Sequence, residues 1–275
     1  MTDRSPVPSG WRQWTTAVLD LLLPPLCALC ERRLGEGRRD PLCGSCWERL
    51  PRVTPPFCVR CGRPFWIFGD HGLGDGAPSH STDASLTSEP HAEVHRGLCE
   101  PCRRRPPPFA YARAATLYRD AAREALHIFK FRGKTSLARP LGDLLAEADE
   151  AIPSRRAVDC LVPVPLHPAR EAERGFNQSL LLAERLSRRW AIPVAEGVLR
   201  RLRATRAQVE LSAAERSMNV QGAFGASRPA VLAGAHALVI DDVFTTGATV
   251  SECSRVLTKD GGASVVGVLT VARVV

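Results

Sequence analysis

Two sets of residues in this 275-residue sequence have types and spacings that can do chemistry. The first is the run Leu238-Val239-Ile240-Asp241-Asp242-Val243-Phe244-Thr245-Thr246-Gly247-Ala248-Thr249. Its apolar part reads as a buried central strand ending in two adjacent carboxylates, after which a short loop of small residues opens a helix. Amides at a helix N-terminus attract an anion, and small side chains let the backbone close around a phosphate. The acids stand one loop away, where they suit ribose hydroxyls or a hydrated Mg2+. A strand ending in two acids before a capped helix is common by itself, whereas two adjacent acids followed by TTGAT are much less so. Neither G-x-x-x-x-G-K-[ST] nor G-x-G-x-x-G follows any predicted strand, so phosphate-loop NTPase and dinucleotide readings lose support.

The second set is cysteine. Eight of the ten cysteines form four pairs of identical spacing, Cys27/Cys30, Cys43/Cys46, Cys58/Cys61 and Cys99/Cys102. A C-x-x-C knuckle lets two thiolates hold one ion from a single turn, so four knuckles make two tetrahedral zinc sites of four cysteines each. A disulfide framework seldom repeats a two-residue spacer four times. Sequence order favours Cys27, Cys30, Cys43 and Cys46 on one Zn2+, and Cys58, Cys61, Cys99 and Cys102 on the other; a cross-braced arrangement of first pair with third is the alternative. Closed four-cysteine sites leave no open position, so both zincs are expected to be structural. None of the pairs opens a helix after a predicted strand, which makes a redox role the minor reading. Cys160, in a strand, and Cys253, in a helix, read as small buried hydrophobes.

The elements that must position these residues follow from periodicity and punctuation. A helix is predicted over 11–23, stopped by Pro24-Pro25, within an N-terminal segment 1–26. The cysteine module spans 27–105 and contains a Gly/Ser/Asp/His-rich excursion, 69–97, with His71, His80, His91 and His95. Beyond about residue 110, helices are predicted over 121–131, 137–150, 177–190 and 248–260, and strands over 158–164, 236–243 and 264–275. Strands alternating with helices predict a parallel sheet covered on both faces, with ligands at the carboxyl ends of the strands.

Composition narrows the class without naming a reaction. The hydrophobic share of 44% and charged share of 24% are those of a globular protein, and the net charge is +8. Such an excess favours anionic partners. Eight arginines against three glutamates lie in 185–219, with Arg200, Arg201, Arg203 and Arg206 clustered. An arginine-bearing flap over pyrophosphate and a solvated basic face are both compatible with that stretch. No run of about 18 apolar residues is present, which excludes a spanning helix, and a reduced, cytoplasmic protein is expected.

Taken together, LVIDDVFTTGAT resembles the phosphoribosyl-pyrophosphate motif of type I phosphoribosyltransferases, and the chain resembles the ComF family, associated with competence for DNA uptake. The C-x-x-C pairs, KFRGK (130–134), VPVPL (162–166), RGFNQS (174–179) and NVQGAF (219–224) carry that likeness. It implies an α/β fold with a type I phosphoribosyltransferase-like parallel sheet over 110–275, helices on both faces, and a small zinc-ribbon module in front. It further implies that Asp241 and Asp242 bind the ribose hydroxyls, and that Thr245, Thr246, Gly247, Ala248 and Thr249 hold the 5-phosphate. Lys130, Arg170, Arg174 and Arg201 are then the candidate catalytic cations, with Mg2+ accompanying phosphoribosyl pyrophosphate or a nucleoside monophosphate. Thr245 stands where many purine enzymes of this type carry an Asp, which argues against a purine acceptor. The implied functions are a transferase of unknown acceptor, or a non-catalytic uptake factor that binds single-stranded DNA or a competence translocase.

Overall fold

The computed structural model describes residues 25–35, 40–65, 97–153, 155–205, 213–227 and 232–275. The predicted N-terminal helix, residues 69–96 of the excursion with their four histidines, and Arg206 lie outside the described residues. In chain order the helices are α1 (Gly44–Glu48), α2 (Glu100–Arg104), α3 (Asp120–Phe131), α4 (Ala138–Glu147), α5 (Pro168–Arg174), α6 (Gln178–Trp190), α7 (Ala213–Val220) and α8 (Ala248–Lys259). The strands are β1 (Tyr111–Leu117), β2 (Cys160–Pro163), β3 (Leu199–Arg201), β4 (Phe224–Ala226), β5 (His236–Phe244) and β6 (Val265–Arg273). No helix among the described residues is long and apolar enough to cross a membrane.

Four strands form a wholly parallel sheet in the order β1-β6-β5-β2, and β3 and β4 pair antiparallel beside it. Alternation along each central strand sends its apolar side chains to two separate cores. Leu238 and Ile240 of β5, with Leu269 and Val271 of β6, face α3, α4 and α6, while Ala237, Val239, Val266 and Val268 face α8 and the β3–β4 ribbon. Helix α3 presents Ala122, Ala125, Leu126 and Phe129 at intervals of three and four, so one stripe of the helix is buried. The β-branched character of β5 and β6 suits strands covered on both sides. These are the predicted parallel sheet and its two helical layers, with element boundaries within about three residues of those predicted.

Strand β1 was not among the predicted strands. Its sequence, YARAATL, has one β-branched residue and an arginine near its centre, yet all seven residues are buried. The cysteine module supplies the burial. Val53 N–H donates to the Ala115 carbonyl (3.0 Å), Leu117 N–H to Pro51 (2.8 Å) and Ala112 N–H to Arg60 (2.7 Å), so ribbon backbone lines the outer edge of β1. An unpaired sheet edge invites pairing with other chains, and this one is covered. Arg113 is satisfied within the same seam, its Nε donating to the Ala151 carbonyl (2.6 Å) and Nη1 to those of Val59 (3.0 Å) and Ala112 (2.8 Å).

Gly62 leaves no room for a side chain in this seam. Its φ is +70°, and a Cβ there would lie 2.5 Å from the Ala112 carbonyl oxygen. Gly234 has a similar φ, +73°, but nothing within 4 Å of a Cβ. Gly62→Ala is therefore expected to cost about 2–4 kcal/mol in urea unfolding, against about 1 kcal/mol for Gly234→Ala. Equal losses would contradict the seam.

Candidate functional site

The eight paired cysteines gather into two clusters, Cys27, Cys30, Cys43 and Cys46, and Cys58, Cys61, Cys99 and Cys102, each with its sulfurs within 4.8 Å of one another. The grouping follows sequence order. The two clusters are built alike. Cys27 N–H donates to the Arg32 carbonyl and Cys58 N–H to that of Arg63, both at 2.8 Å, and Cys43 and Cys99 each cap a short helix that carries the fourth cysteine. The tight turn after the first knuckle puts Glu31 at φ +57° and Gly62 at +70°. Cys43 N–H reaches Cys27 Sγ at 3.4 Å and Cys99 N–H reaches Cys58 Sγ at 3.3 Å.

This donor set fits zinc. Cys30 and Cys43 sulfurs lie 3.6 Å apart, as do those of Cys61 and Cys99, close to the edge of about 3.8 Å for a tetrahedron with Zn–S bonds of about 2.3 Å. Amides aimed at sulfur stabilise thiolate over thiol. The Ser45 hydroxyl is the main influence holding Cys43 down to about 6, whereas burial pushes Cys46 up to about 12. With four cysteines in each cluster, these are closed sites suited to structural zinc, as the spacing predicts.

The second constellation lies at the carboxyl end of β5. Asp241 and Asp242 are buried there, 8% and 4% exposed. Asp241 Oδ1 accepts from Ser179 Oγ (3.0 Å) and from the Asp242 N–H (2.9 Å). Burial and the neighbouring Asp242 charge push its carboxyl up to about 7, with Lys130 pulling the other way. Lys130 Nζ stands 2.8 Å from Asp242 Oδ2. It does so outside good hydrogen-bond alignment, leaving that buried oxygen without a directed donor.

Ser179 reaches Asp241 because Asn177 fixes the start of α6. Asn177 Oδ1 accepts from Ser179 N–H (3.0 Å) and Leu180 N–H (3.4 Å), and its Nδ2 donates to the Val164 carbonyl (3.2 Å). RGFNQS thus ties the end of β2 to the acids. Lys130 arrives from the last turn of α3. Beyond Phe244 the loop Thr245-Thr246-Gly247 turns into α8, Gly247 adopting φ +77°. A Cβ on Gly247 would sit 2.6 Å from the Phe244 ring, so both conformation and space require glycine there. Thr246 Oγ1 accepts from the Ala248 N–H at 3.4 Å.

The candidate cations divide. Arg174, at the end of α5, lies within electrostatic range of Asp242 and Asp241, and donates through Nη1 to Gln178. Lys130 is the cation in contact with the acids. Arg201 is on β3 across the other core, its guanidinium 5.4 Å from the Phe224 ring centroid and hydrogen-bonded to Thr205, though the Asp241 charge still reaches it. Arg170 is half exposed and paired with Glu173 at 2.7 Å. NVQGAF reaches the loop helix instead of the acids, since the Gly222 N–H donates to Glu252 of α8 at 2.8 Å.

Sequence reasoning missed Ser179 as the partner of Asp241, although RGFNQS contains it, and missed a link between the two constellations. Buried Arg273 of β6 donates through Nη1 to the Cys61 carbonyl at 2.5 Å and lies 5.1 Å from the Phe244 ring that packs beneath Gly247. One guanidinium thus touches both the second cysteine cluster and the residue supporting the loop.

Residues 18–79 match the family model described as Double zinc ribbon domain. The chain is 32% identical over 250 residues to the DNA utilization protein YhgH of Escherichia coli (strain K12), covering 89% of this chain and 96% of that protein. It is 28% identical over 259 residues to Competence protein ComFC of Bacillus subtilis (strain 168), covering 90% and 95%. To Competence protein F of Haemophilus influenzae it is 26% identical over 227 residues, covering 81% and 86%.

Two outcomes follow from these geometries. Elemental analysis of gently purified protein should find about two zinc per chain, and Cys46→Ser or Cys102→Ser should each remove about one; fewer than one in the wild type would contradict two closed sites. Asp241 should also leave a pH signature. Its folded carboxyl keeps a proton to about 7, while an unfolded Asp loses it near about 4. Its contribution is therefore full below the lower value and lost as pH rises through the upper. Asp241→Asn has no such proton, so between about pH 5.5 and 8 its urea stability should gain on wild type by more than about 1 kcal/mol. A flat difference would place the raised acid elsewhere.

Proposed function

The chain belongs to the ComF family of DNA utilization and competence proteins, and from that membership we propose that it is a Mg2+-dependent, phosphoribosyl-pyrophosphate-binding protein of the phosphoribosyltransferase type that serves DNA utilization. One observation carries the reading. Two adjacent buried acids lie near the carboxyl end of the central parallel strand, from which a glycine-turned loop leads directly into the N-terminus of the twelve-residue helix α8. In open α/β sheets, ligands bind beyond the carboxyl ends of the strands, and a phosphate is at home on helix amides.

On this reading the amides and hydroxyls of Thr245, Thr246, Gly247, Ala248 and Thr249 hold the 5-phosphate. Asp241 and Asp242 take the ribose hydroxyls. Lys130 then has a choice of partners: it now neutralises Asp242, and a diphosphate placed beside it competes for the same ammonium. Arg174 stands next to that exchange, with Arg170 and Arg201 further out. The reaction such residues can support is displacement of pyrophosphate at the anomeric carbon, where positive charge grows on the sugar as negative charge leaves. Fixed cations beside the leaving oxygens stabilise that separation. Asp241 and Asp242 are hard oxygen donors, and the undirected Oδ2 of Asp242 suits a hydrated Mg2+, which when bound with the diphosphate would neutralise the departing charge. Thr245 at the head of the loop supplies no carboxylate base, which favours an acceptor that needs none from this position.

The names of the relatives favour a second reading, in which the chain is a non-catalytic partner of DNA uptake and binds single-stranded DNA or a translocase. Calorimetry separates the two. Phosphoribosyl pyrophosphate with Mg2+ should bind wild type saturably and bind Asp241→Asn/Asp242→Asn at least tenfold more weakly, with oligo-dT bound weakly by both. Absence of phosphoribosyl pyrophosphate binding to zinc-loaded wild type would overturn the first reading.

A further inference from the structure

The loop that leads into α8 rests on the ring of Phe244, the last residue of β5. Gly247 turns over that ring so closely that a Cβ would lie 2.6 Å from Phe244 Cζ. Two other groups hold the same ring. Phe109 meets it edge to face, centroids 6.1 Å apart at 80°, and the Arg273 guanidinium lies 5.1 Å from its centroid. Arg273 and Phe244 are partners across the β5–β6 ladder, where Val274 N–H donates to the Phe244 carbonyl at 2.8 Å. Both supports lead back to the second cysteine cluster. Arg273 is buried, donates through Nη1 to the Cys61 carbonyl at 2.5 Å, and among the described residues has no acceptor for its Nε. Phe109 follows Cys102 by way of α2 and a run of three prolines, and Arg60, next to Cys61, donates through Nη2 to the carbonyl of Pro107 in that run at 3.0 Å. Cys61 itself packs against the core that contains Phe109 and Phe244. The first cluster packs elsewhere: Cys27, Cys43 and Cys46 belong to the core on the opposite face of the sheet.

We propose that Arg273 is a positioning residue that couples the second zinc site to the phosphate loop, so that the second Zn2+ and phosphoribosyl pyrophosphate strengthen each other's binding while the first Zn2+ takes no part. This rests on the reading of Thr245 to Thr249 as the loop that holds the 5-phosphate. Zinc fixes the knuckle turn that aims the Cys61 carbonyl at Arg273, and an ion held by four thiolates leaves the cluster net negative beside a buried cation. Without the metal the guanidinium loses its directed acceptor and its counter-charge together, and a buried donor without a partner does not stay in place without cost. Its displacement releases the Phe244 ring, and with it the surface on which Gly247 turns. Two ligands that favour the same arrangement of one shared element raise each other's affinity by the same factor. Here the shared element is the Arg273–Phe244 pair.

The test follows zinc release from the zinc-loaded full chain into a colorimetric chelator, with and without phosphoribosyl pyrophosphate and Mg2+. Cys46→Ser reports the second site alone and Cys102→Ser the first. The ligand should slow release from Cys46→Ser about fivefold or more, and from Cys102→Ser by less than about twofold. A ligand that merely stabilised the fold would slow both alike. Adding Asp241→Asn/Asp242→Asn to Cys46→Ser should remove the effect, which separates binding at the site from competition for zinc in solution. Arg273→Met, which keeps bulk over Phe244 but no donor, should abolish the slowing while about two zinc per chain remain bound, and Arg273→Lys should retain part of it. Reciprocally, calorimetry should find phosphoribosyl pyrophosphate bound about fivefold or more weakly by Cys102→Ser than by Cys46→Ser. The inference is overturned by equal slowing at both sites, by slowing at neither, or by slowing that survives Arg273→Met or is lost alike in Arg273→Lys. Should the single-site variants not fold, the two release phases of wild type decide it, since the ligand should slow one and spare the other. Failure of wild type to bind phosphoribosyl pyrophosphate in calorimetry would instead overturn the underlying reading, and this inference with it.

Discussion

Two carboxylates on consecutive residues at the buried end of a central strand repel each other and have lost most of their water, and much of this molecule is arranged around that cost. Asp241 is met by the Ser179 hydroxyl and the next amide, Asp242 by the Lys130 ammonium. Ser179 and Lys130 come from different helices, so the acids tie α3 and α6 to the end of β5 in addition to the apolar stripes that pack both helices. The start of α6 is fixed in turn by Asn177, which caps the helix and grips the Val164 carbonyl. A buried charge left without partners is costly. Asp241 meets that cost by keeping its proton up to about 7.

Arginine performs the equivalent task between the cysteine module and the sheet. Arg113 and Arg273 are both buried, and each donates to backbone carbonyls of the module. A guanidinium presents several donors in a fixed plane and so can join chain segments distant in sequence. Burial pulls both toward easier deprotonation, opposed by the nearby sulfurs. The module is in this way part of the packing of β1 and of the floor beneath Gly247, and not an appendage on a linker.

What could be read in the sequence was whatever declares itself locally. The C-x-x-C spacing, the apolar run into Asp241-Asp242, the Asn177 cap and the glycine of the loop each announce a structure within a few residues. Strand β1 was illegible because its burial comes from residues 51–62 of the module, and because Arg113 finds its acceptors up to 54 positions away. The same holds for the acids: Ser179 lies 62 residues from Asp241. The arginine-rich character of 185–219 was visible, but not its division. Arg185 pairs with Asp143, Arg203 holds the carbonyls of Asn219 and Gln221, and Arg201 faces the second core. Charge counting cannot distinguish an arginine that braces a fold from one that waits for an anion.

The two cysteine clusters are twins in ligands and in backbone, yet the chain they enclose is unequal. Twelve residues (31–42) separate the knuckles of the first and 37 (62–98) those of the second. Closing a loop costs entropy that grows only with the logarithm of its length, so the longer interval costs roughly 1 kcal/mol more. Four sulfur bonds to one ion cover such a difference easily. The second ribbon can therefore host insertions of almost any length between Phe65 and Gly97, where the backbone re-enters beside Val59 at 2.9 Å. In evolutionary terms the knuckle pair acts as a splice point: sequence can be grafted there or lost without renegotiating the fold on either side.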